Sequence, residues 1–359
     1  MAKILMKGNE ALSEAAIRAG CRHFFGYPIT PQNEVNAYLS AHLPKVGGVY
    51  LQAESEIASI NMVIGAASAG VRAMTSSSSP GISLKTEGIS YLAACDLPCL
   101  IVNVQRGGPG LGGIQPAQSD YHQATKAPGH GDFRILVFTP STVQESADLV
   151  FTAFDLSERY RIPAMILSDG LLGQMMEPVE FPDIDVKTYD KPWATTGRGG
   201  GRIARGAVRA QNVISSLCLE SDELERTVVE RFARYAEIEK NHSMCEEYLT
   251  DDADVLVVAY GASSRVVRSA VNAARDNGIK AGLLRPITVW PFPEQQLLNR
   301  IKTAKCVLVV EMSMGQMLLD VQLIVQGRKS VRFFGRTGGV VPTPDEVLGQ
   351  IKLVNGGVA

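Results

Sequence analysis

Two stretches decide the reading of this chain: GYPITPQNEV, from Gly26 to Val35, and ESEIASINMVIGAASAG, from Glu54 to Gly70. The first sets a threonine and two prolines just after an apolar, strand-like run. The second opens a helix on Glu56 and continues through Ala58, Gly65, Ala66, Ala67, Ala69 and Gly70, which leave little side-chain bulk, so a backbone or a flat ring can approach closely. A carboxylate in the first turn of a helix is favoured by the unpaired N–H groups and the dipole there. On composition alone Glu56 is also readable as an ordinary helix-terminal charge.

Working outward, apolar runs alternate with helical patterns at 23–26, 48–52, 72–75, 98–104, 135–138 and 163–168. Strands separated by ten or more residues of helix imply right-handed crossovers and a parallel sheet. Ligands of such a sheet bind in loops beyond the carboxyl ends of the strands, where YPITP (27–31) and QRGGPGLGG (105–113) fall. A second α/β run begins at Asp254 with VLVVAYGAS, continues as an amphipathic helix over 263–277, and goes on through AGLLRPITVW, CVLVVEMSMG and VRFFGRTGG. Between the two lie a stretch rich in Pro, Gly and charge, KPWATTGRGGGRIARG, and a polar helical pattern over 221–248. The GRGGGR loop follows no strand and is not GxxxxGK[ST], so it reads as a flexible connection rather than a phosphate cradle. The expectation is α/β: two doubly wound parallel-sheet domains, 1–185 and 251–359, joined by a linker and bridging helix over 186–250.

Composition narrows the classes. A chain of 359 residues exceeds the usual single core, and a net charge of −2 leaves no electrostatic footprint for nucleic acid or an anionic membrane. No apolar run approaches a membrane span, and MAKILMKGNEAL lacks the apolar core and cleavage site of a secretion signal, so a cytoplasmic protein is expected. The six cysteines (21, 95, 99, 218, 245 and 306) form no CxxC pair, and the five histidines show no HExxH spacing. Neither an iron–sulfur cluster nor a metal site is expected on this chain. Gly261 to Ser263 lacks the flanks of a nucleophile elbow and has no evident His/Asp partners.

Glu56 followed nine positions later by GAA and then AG resembles the glutamate-bearing helix of the pyrimidine-binding domain in thiamine diphosphate enzymes. Together with YPITP, NVQRGGPGLGG (103–113) and RPITVWPFP (285–293), it resembles the alpha subunit of the multi-subunit 2-oxoacid:ferredoxin oxidoreductases over nearly the whole chain. TGRGGGR and the EEYLTDDAD stretch (246–254) look most like the branched-chain, 3-methyl-2-oxobutanoate type, with 2-oxoglutarate or pyruvate as alternatives. The resemblance implies a thiamine pyrimidine-binding domain, then a transketolase C-terminal type domain that serves packing. It further implies oxidative decarboxylation of a 2-oxoacid to acyl-CoA, with electrons passed to ferredoxin.

Carried onto this sequence, the resemblance makes Glu56 the catalytic partner of the cofactor's N1′, with Pro28 and Ile29 beside the cofactor. Thr30 and Arg106 become substrate contacts, and Gln118 and Asp120 possible pocket residues. Thr30 is also readable as a helix N-cap with Pro31 following, and Arg106 as one half of a salt bridge closing its loop. No GDG with a downstream Asn pair occurs, so the diphosphate and Mg2+ are expected on a beta subunit. Gamma and small ferredoxin-like subunits would carry the iron–sulfur clusters, in a dimer of heteromers that also uses coenzyme A. The rivals are a non-catalytic scaffold of the same fold and a transketolase-like thiamine enzyme without a redox centre.

Overall fold

The segments Leu100–Gln105 and Ala164–Asp169 are buried at every residue, and so are Val255–Val258 and Cys306–Glu311. Continuous apolar strands of this kind fit only a parallel sheet covered by helices on both faces. The computed structural model, which describes residues 3–182, 185–197 and 212–356, contains two such sheets.

In chain order the strands are β1 (Ile4–Lys7), β2 (His23–Gly26), β3 (Val49–Gln52), β4 (Ala73–Ser77), β5 (Leu100–Gln105), β6 (Leu136–Phe138), β7 (Ala164–Asp169), β8 (Met176–Val179), β9 (Cys245–Tyr248), β10 (Val255–Val258), β11 (Ala281–Pro286), β12 (Thr288–Trp290), β13 (Cys306–Glu311) and β14 (Ser330–Gly335). The α-helices are α1 (Gly8–Arg18), α2 (Asn33–His42), α3 (Glu56–Ser68), α4 (Pro80–Ala94), α5 (Tyr121–Thr125), α6 (Val143–Tyr160), α7 (Gly170–Gln174), α8 (Pro192–Thr195), α9 (Ser221–His242), α10 (Gly261–Asp276), α11 (Glu294–Arg300), α12 (Gln316–Val325) and α13 (Pro344–Asn355).

The first sheet has the order β12-β6-β7-β5-β4-β2-β3 and the second β14-β13-β10-β11-β9. The expected α/β class and both layers are present, with two departures from all-parallel sheets. Strand β12 runs antiparallel to β6, so a segment of the C-terminal part closes the edge of the N-terminal sheet. Strand β9 runs antiparallel to β11, so residues 245–248, expected within the bridging helix, are an edge strand of the second sheet, and the helix ends at His242. The β1–β8 ribbon was not expected; Ile4 and Leu5 are more than half exposed, so its pattern carries no core signal. The GRGGGR connection lies mostly within 198–211, outside the described residues.

Strands β2 and β3 follow one another in sequence, whereas β4 returns on the other side of β2. The chain therefore reverses direction across the sheet between β2 and β4, which opens a crevice at their carboxyl ends. Three of the four sequence-singled segments leave the carboxyl ends of strands in this sheet: 27–31 from β2, Glu56 after β3, and Arg106 after β5.

Candidate active site

Glu56 is the first residue of α3, behind Ser55, whose hydroxyl accepts the Ala58 N–H at 3.1 Å and caps the helix. The residue is only 6 % exposed, yet its carboxylate receives no hydrogen bond from any described protein group. It lies over Gly81 in the first turn of α4. A Cβ on Gly81 would stand 2.6 Å from Glu56 Oε1 and 2.0 Å from Ser77 Oγ. The buried hydroxyls of Ser77 and Ser78, at the end of β4, also lack partners. The bare carboxylate and the Ser77 hydroxyl thus close on a glycine with no room for a methyl group, with Ser78 next in the chain, and these polar groups are left short of hydrogen-bond partners.

The turn between β4 and α4 is strained: Ser79 has φ +23°, a value few non-glycine residues adopt. It is held there by its neighbours. Its N–H donates to Asn103 Oδ1 (3.1 Å), its hydroxyl donates to Asp120 Oδ2 (2.6 Å), and the same hydroxyl accepts the Arg106 N–H at 3.0 Å. Asn103 Nδ2 donates to the same Asp120 oxygen at 2.9 Å. Burial pushes the Asp120 carboxyl up, against the pull of Ser79 and Asn103. Asp120 lines a cleft of about 530 Å3 with Ser79, Pro80, Gly108, Gln123 and, from the second part of the chain, Met314.

Arg106 does not form the salt bridge of its alternative reading. Its guanidinium donates to the Thr30 carbonyl (2.9 Å) and to the Leu111 carbonyl (3.2 Å), its Nε is buried without a partner, and no carboxylate pairs with it among the described residues. It thus staples the loop after β2 to the glycine loop while keeping its charge unneutralised. Thr30 is not the N-cap either; that position is Gln32, and Thr30 Oγ1 instead accepts from Asn33 Nδ2 at 3.2 Å. Thr30 lines a second cleft of about 660 Å3, with Pro31, Glu34, Ile114, Gly170 and Gln174. Pro28 is exposed and Ile29 half-buried in the same loop.

Gln118 is corrected from pocket residue to clasp. It is 1 % exposed; its Nε2 donates to the Tyr260 carbonyl at 2.8 Å, and its Oε1 accepts from Ser263 Oγ (2.6 Å) and the Met312 N–H (2.9 Å). Three of the four hydrogen bonds the side chain can make thus join the two α/β parts. Sequence reasoning also missed Gln32, which is fully buried and accepts from Ser76 Oγ at 2.6 Å across the crevice, and the serine run itself. The signal was there: SSSSPG over 76–81 places a proline at the start of a helix after a strand.

A larger cavity of about 750 Å3 lies between α6 and α10. Its arginines 285, 265 and 268 are paired with Glu145, Glu177 and Glu246, so it reads as an ionic seam between the two parts. The six cysteines form no disulfide, none of the described residues form a metal-holding cluster, and no described helix is long and apolar enough to cross a membrane.

Residues 14–237 match the profile of the thiamine diphosphate-binding domain of pyruvate flavodoxin/ferredoxin oxidoreductase, and residues 253–347 match core domain II of pyruvate:ferredoxin oxidoreductase. The chain belongs to the 2-oxoacid:ferredoxin oxidoreductase family. Ketoisovalerate oxidoreductase subunit VorB of Methanothermobacter thermautotrophicus is 47% identical over 357 residues, 99% of each chain. The 2-oxoglutarate synthase subunit KorA of Methanothermobacter marburgensis is 36% identical, over 96% of this chain and 97% of its own. Among solved structures, the 2-oxoglutarate:ferredoxin oxidoreductase of Magnetococcus marinus, with 2-oxoglutarate, coenzyme A and succinyl-CoA bound, superposes with a TM-score of 0.86 at 30% identity. The superposition covers 99% of this chain and 65% of that one. A split-gene transketolase shares the fold, with a TM-score of 0.59 at 13% identity. Relatives in this family are named as subunits, so the chain is one component of a multi-subunit enzyme.

Proposed function

We propose that this chain is the pyrimidine-binding half of a thiamine diphosphate-dependent 2-oxoacid:ferredoxin oxidoreductase. Its substrate is a branched-chain 2-oxoacid, 3-methyl-2-oxobutanoate, converted to the acyl-CoA with electrons passed to ferredoxin. The observation that carries the reading is the Glu56 carboxylate, buried but unbonded over Gly81. A carboxylate so placed is fitted to accept a hydrogen bond from a heterocycle, and the Ser77 hydroxyl, also without a partner, lies against the same Gly81. The cofactor supplies the carbon nucleophile and the electron sink for decarboxylation.

The chain's own residues divide the remaining work. Glu56 is the residue that would hold the pyrimidine N1′ by a hydrogen bond, an interaction that would favour the form of the ring carrying its own base. Arg106, with no carboxylate paired to it among the described residues, presents positive charge to the substrate carboxylate or keto oxygen, and Thr30 stands beside it. Keeping the acid and the guanidinium on different strand ends avoids setting the substrate carboxylate against Glu56. Ser79, Asn103 and Asp120 fix the turn between them.

Support for a partner comes from the outer faces of α3 and α4. Ile57 and Leu84 are each 51 % exposed and Tyr91 38 %, an apolar stripe flanking Glu56 that water does not favour. A beta subunit holding the Mg2+ and the diphosphate is the occupant that completes the site, with the clusters on gamma and ferredoxin-like chains. The branched-chain assignment rests on the ketoisovalerate subunits, 47% and 46% identical, against 36% for 2-oxoglutarate synthase subunits. The test is reduction of a low-potential dye by the co-purified complex on 3-methyl-2-oxobutanoate, 2-oxoglutarate and pyruvate. Coenzyme A-dependent activity greatest on the branched acid, and lost in Glu56→Gln, supports the reading. Undiminished activity in Glu56→Gln moves the chain to the scaffold reading.

A further inference from the structure

Lys85, in the second turn of α4, is fully buried behind Glu56, and nothing in the site described so far uses it. Its Nζ donates to Ser59 Oγ at 2.7 Å, Thr75 Oγ1 at 2.5 Å and the Ser76 carbonyl at 3.4 Å. Three acceptors meet the three N–H bonds of an ammonium, and a neutral amine would leave one of them without a donor. Helix α3, helix α4 and strand β4 each contribute to this socket, so it is built by the fold and not by one flexible side chain.

No carboxylate touches the ammonium: among the described residues it forms no ion pair within 4.0 Å. Such burial disfavours the charge and pulls Lys85 down to about 7, while the negative charge of Glu56, then that of Cys99, holds it up. Cys99 is itself pushed up to about 12 by burial, so at neutral pH it stays a thiol. Among the described residues Glu56 is therefore the carboxylate whose charge acts on Lys85. The two are also linked through bonds, since the Ser59 hydroxyl that receives Lys85 donates to the Glu56 carbonyl at 2.8 Å.

We propose that Lys85 is a positioning residue for the cofactor-binding carboxylate: its socketed ammonium supplies the buried positive charge behind Glu56 and thereby sets how readily the pyrimidine bound there is protonated. The inference rests on the thiamine reading above. A positive charge in the protein interior disfavours a second one on the ring, so Lys85 favours the neutral imino form over the pyrimidinium.

The test is a near-ultraviolet circular dichroism titration of the iminopyrimidine band in the assembled complex loaded with thiamine diphosphate. With Lys85→Met, the pH at which the band appears rises by about one unit, the effect expected of a nearby buried charge. Thr75→Val removes one acceptor of the socket while keeping the shape, and moves the midpoint the same way by less. A role confined to packing leaves the midpoint in place, so titrations that coincide with wild type overturn the proposal. If Lys85→Met does not assemble, the Thr75→Val titration decides by the same criterion. A wild-type complex that binds no thiamine diphosphate, measured separately by calorimetry, overturns the functional reading itself and the inference with it.

Discussion

Adding one methyl group at Gly81 should remove function while sparing the fold. An ideal Cβ there lies 2.0 Å from Ser77 Oγ and 2.6 Å from Glu56 Oε1, with Glu56 Cγ at 3.0 Å. Normal contact needs roughly 3.5 Å, so the carboxylate must retreat by about 1 Å, and the serine hydroxyl by more. A displacement of that size at a catalytic group costs about 100-fold in rate, whereas overpacking of this kind costs only about 1–3 kcal/mol of stability. Gly349, in the middle of α13, is the control, because nothing lies within 4 Å of its added Cβ. Alanine there should raise stability by about 1 kcal/mol through helix propensity and leave activity alone. The assay is 2-oxoacid-dependent dye reduction by the complex, beside thermal unfolding of both variants and calorimetric binding of thiamine diphosphate. Full activity and unchanged cofactor affinity in Gly81→Ala would falsify the placement of the cofactor site at Glu56 and Gly81.

Two further perturbations test the frame around the site. Gln118→Leu should cost about 2–4 kcal/mol, because it strands the Met312 N–H, the Ser263 hydroxyl and the Tyr260 carbonyl in the interior; a denaturation midpoint equal to wild type would refute the clasp. Asp169, buried at the head of α7, is pushed up to about 6 by burial against the pull of the Leu172, Leu171 and Ala262 N–H groups. A carboxyl with its folded value above its unfolded one makes its full contribution to stability below about pH 4 and loses it as pH rises through 6. Wild type should therefore lose about 2–3 kcal/mol relative to Asp169→Asn between pH 4 and 7; parallel stability curves for the two proteins would show that Asp169 is not the cause.

How far the fold was legible depended on burial. Strands β5, β7, β10 and β13 are apolar at nearly every position because both of their faces are covered, and their runs stand out from any local context. Strands β1, β9 and β12 are short edges whose pairing is antiparallel and distant. In β9 the sequence CEEY carries two glutamates that the structure uses against Arg268, Arg285 and Arg300. From sequence the same residues extend a polar helix, since nothing local marks His242 as its end. The β12 segment is more instructive: RPITVW reads as one strand, and the break at Ile287 appears only because its carbonyl accepts the Thr139 N–H at 2.7 Å as the chain crosses to the other sheet.

The site divides along the same line. Glu56 and Arg106 each stand where a strand ends and a helix or glycine loop begins, a position the alternation of patterns marks, while the roles expected of them come from the family resemblance. Their partners were not legible, because the partners are chosen by topology. Gln118, two residues before Asp120 in one loop, turns away to Tyr260, Ser263 and Met312, whereas Asp120 turns inward to Ser79 and Asn103. No spacing rule separates these fates, since both side chains can accept and the difference lies in which sheet the loop faces. Lys85 shows the same limit from the other side. On a helical wheel it is a charge on an otherwise small, apolar face, a place where sequence favours exposure; only when α3 and β4 are packed beside it do three acceptors converge on its Nζ. The residues that hold charge where the chemistry needs it are thus the ones whose meaning is set across strands, and they become readable only after the sheet order is known.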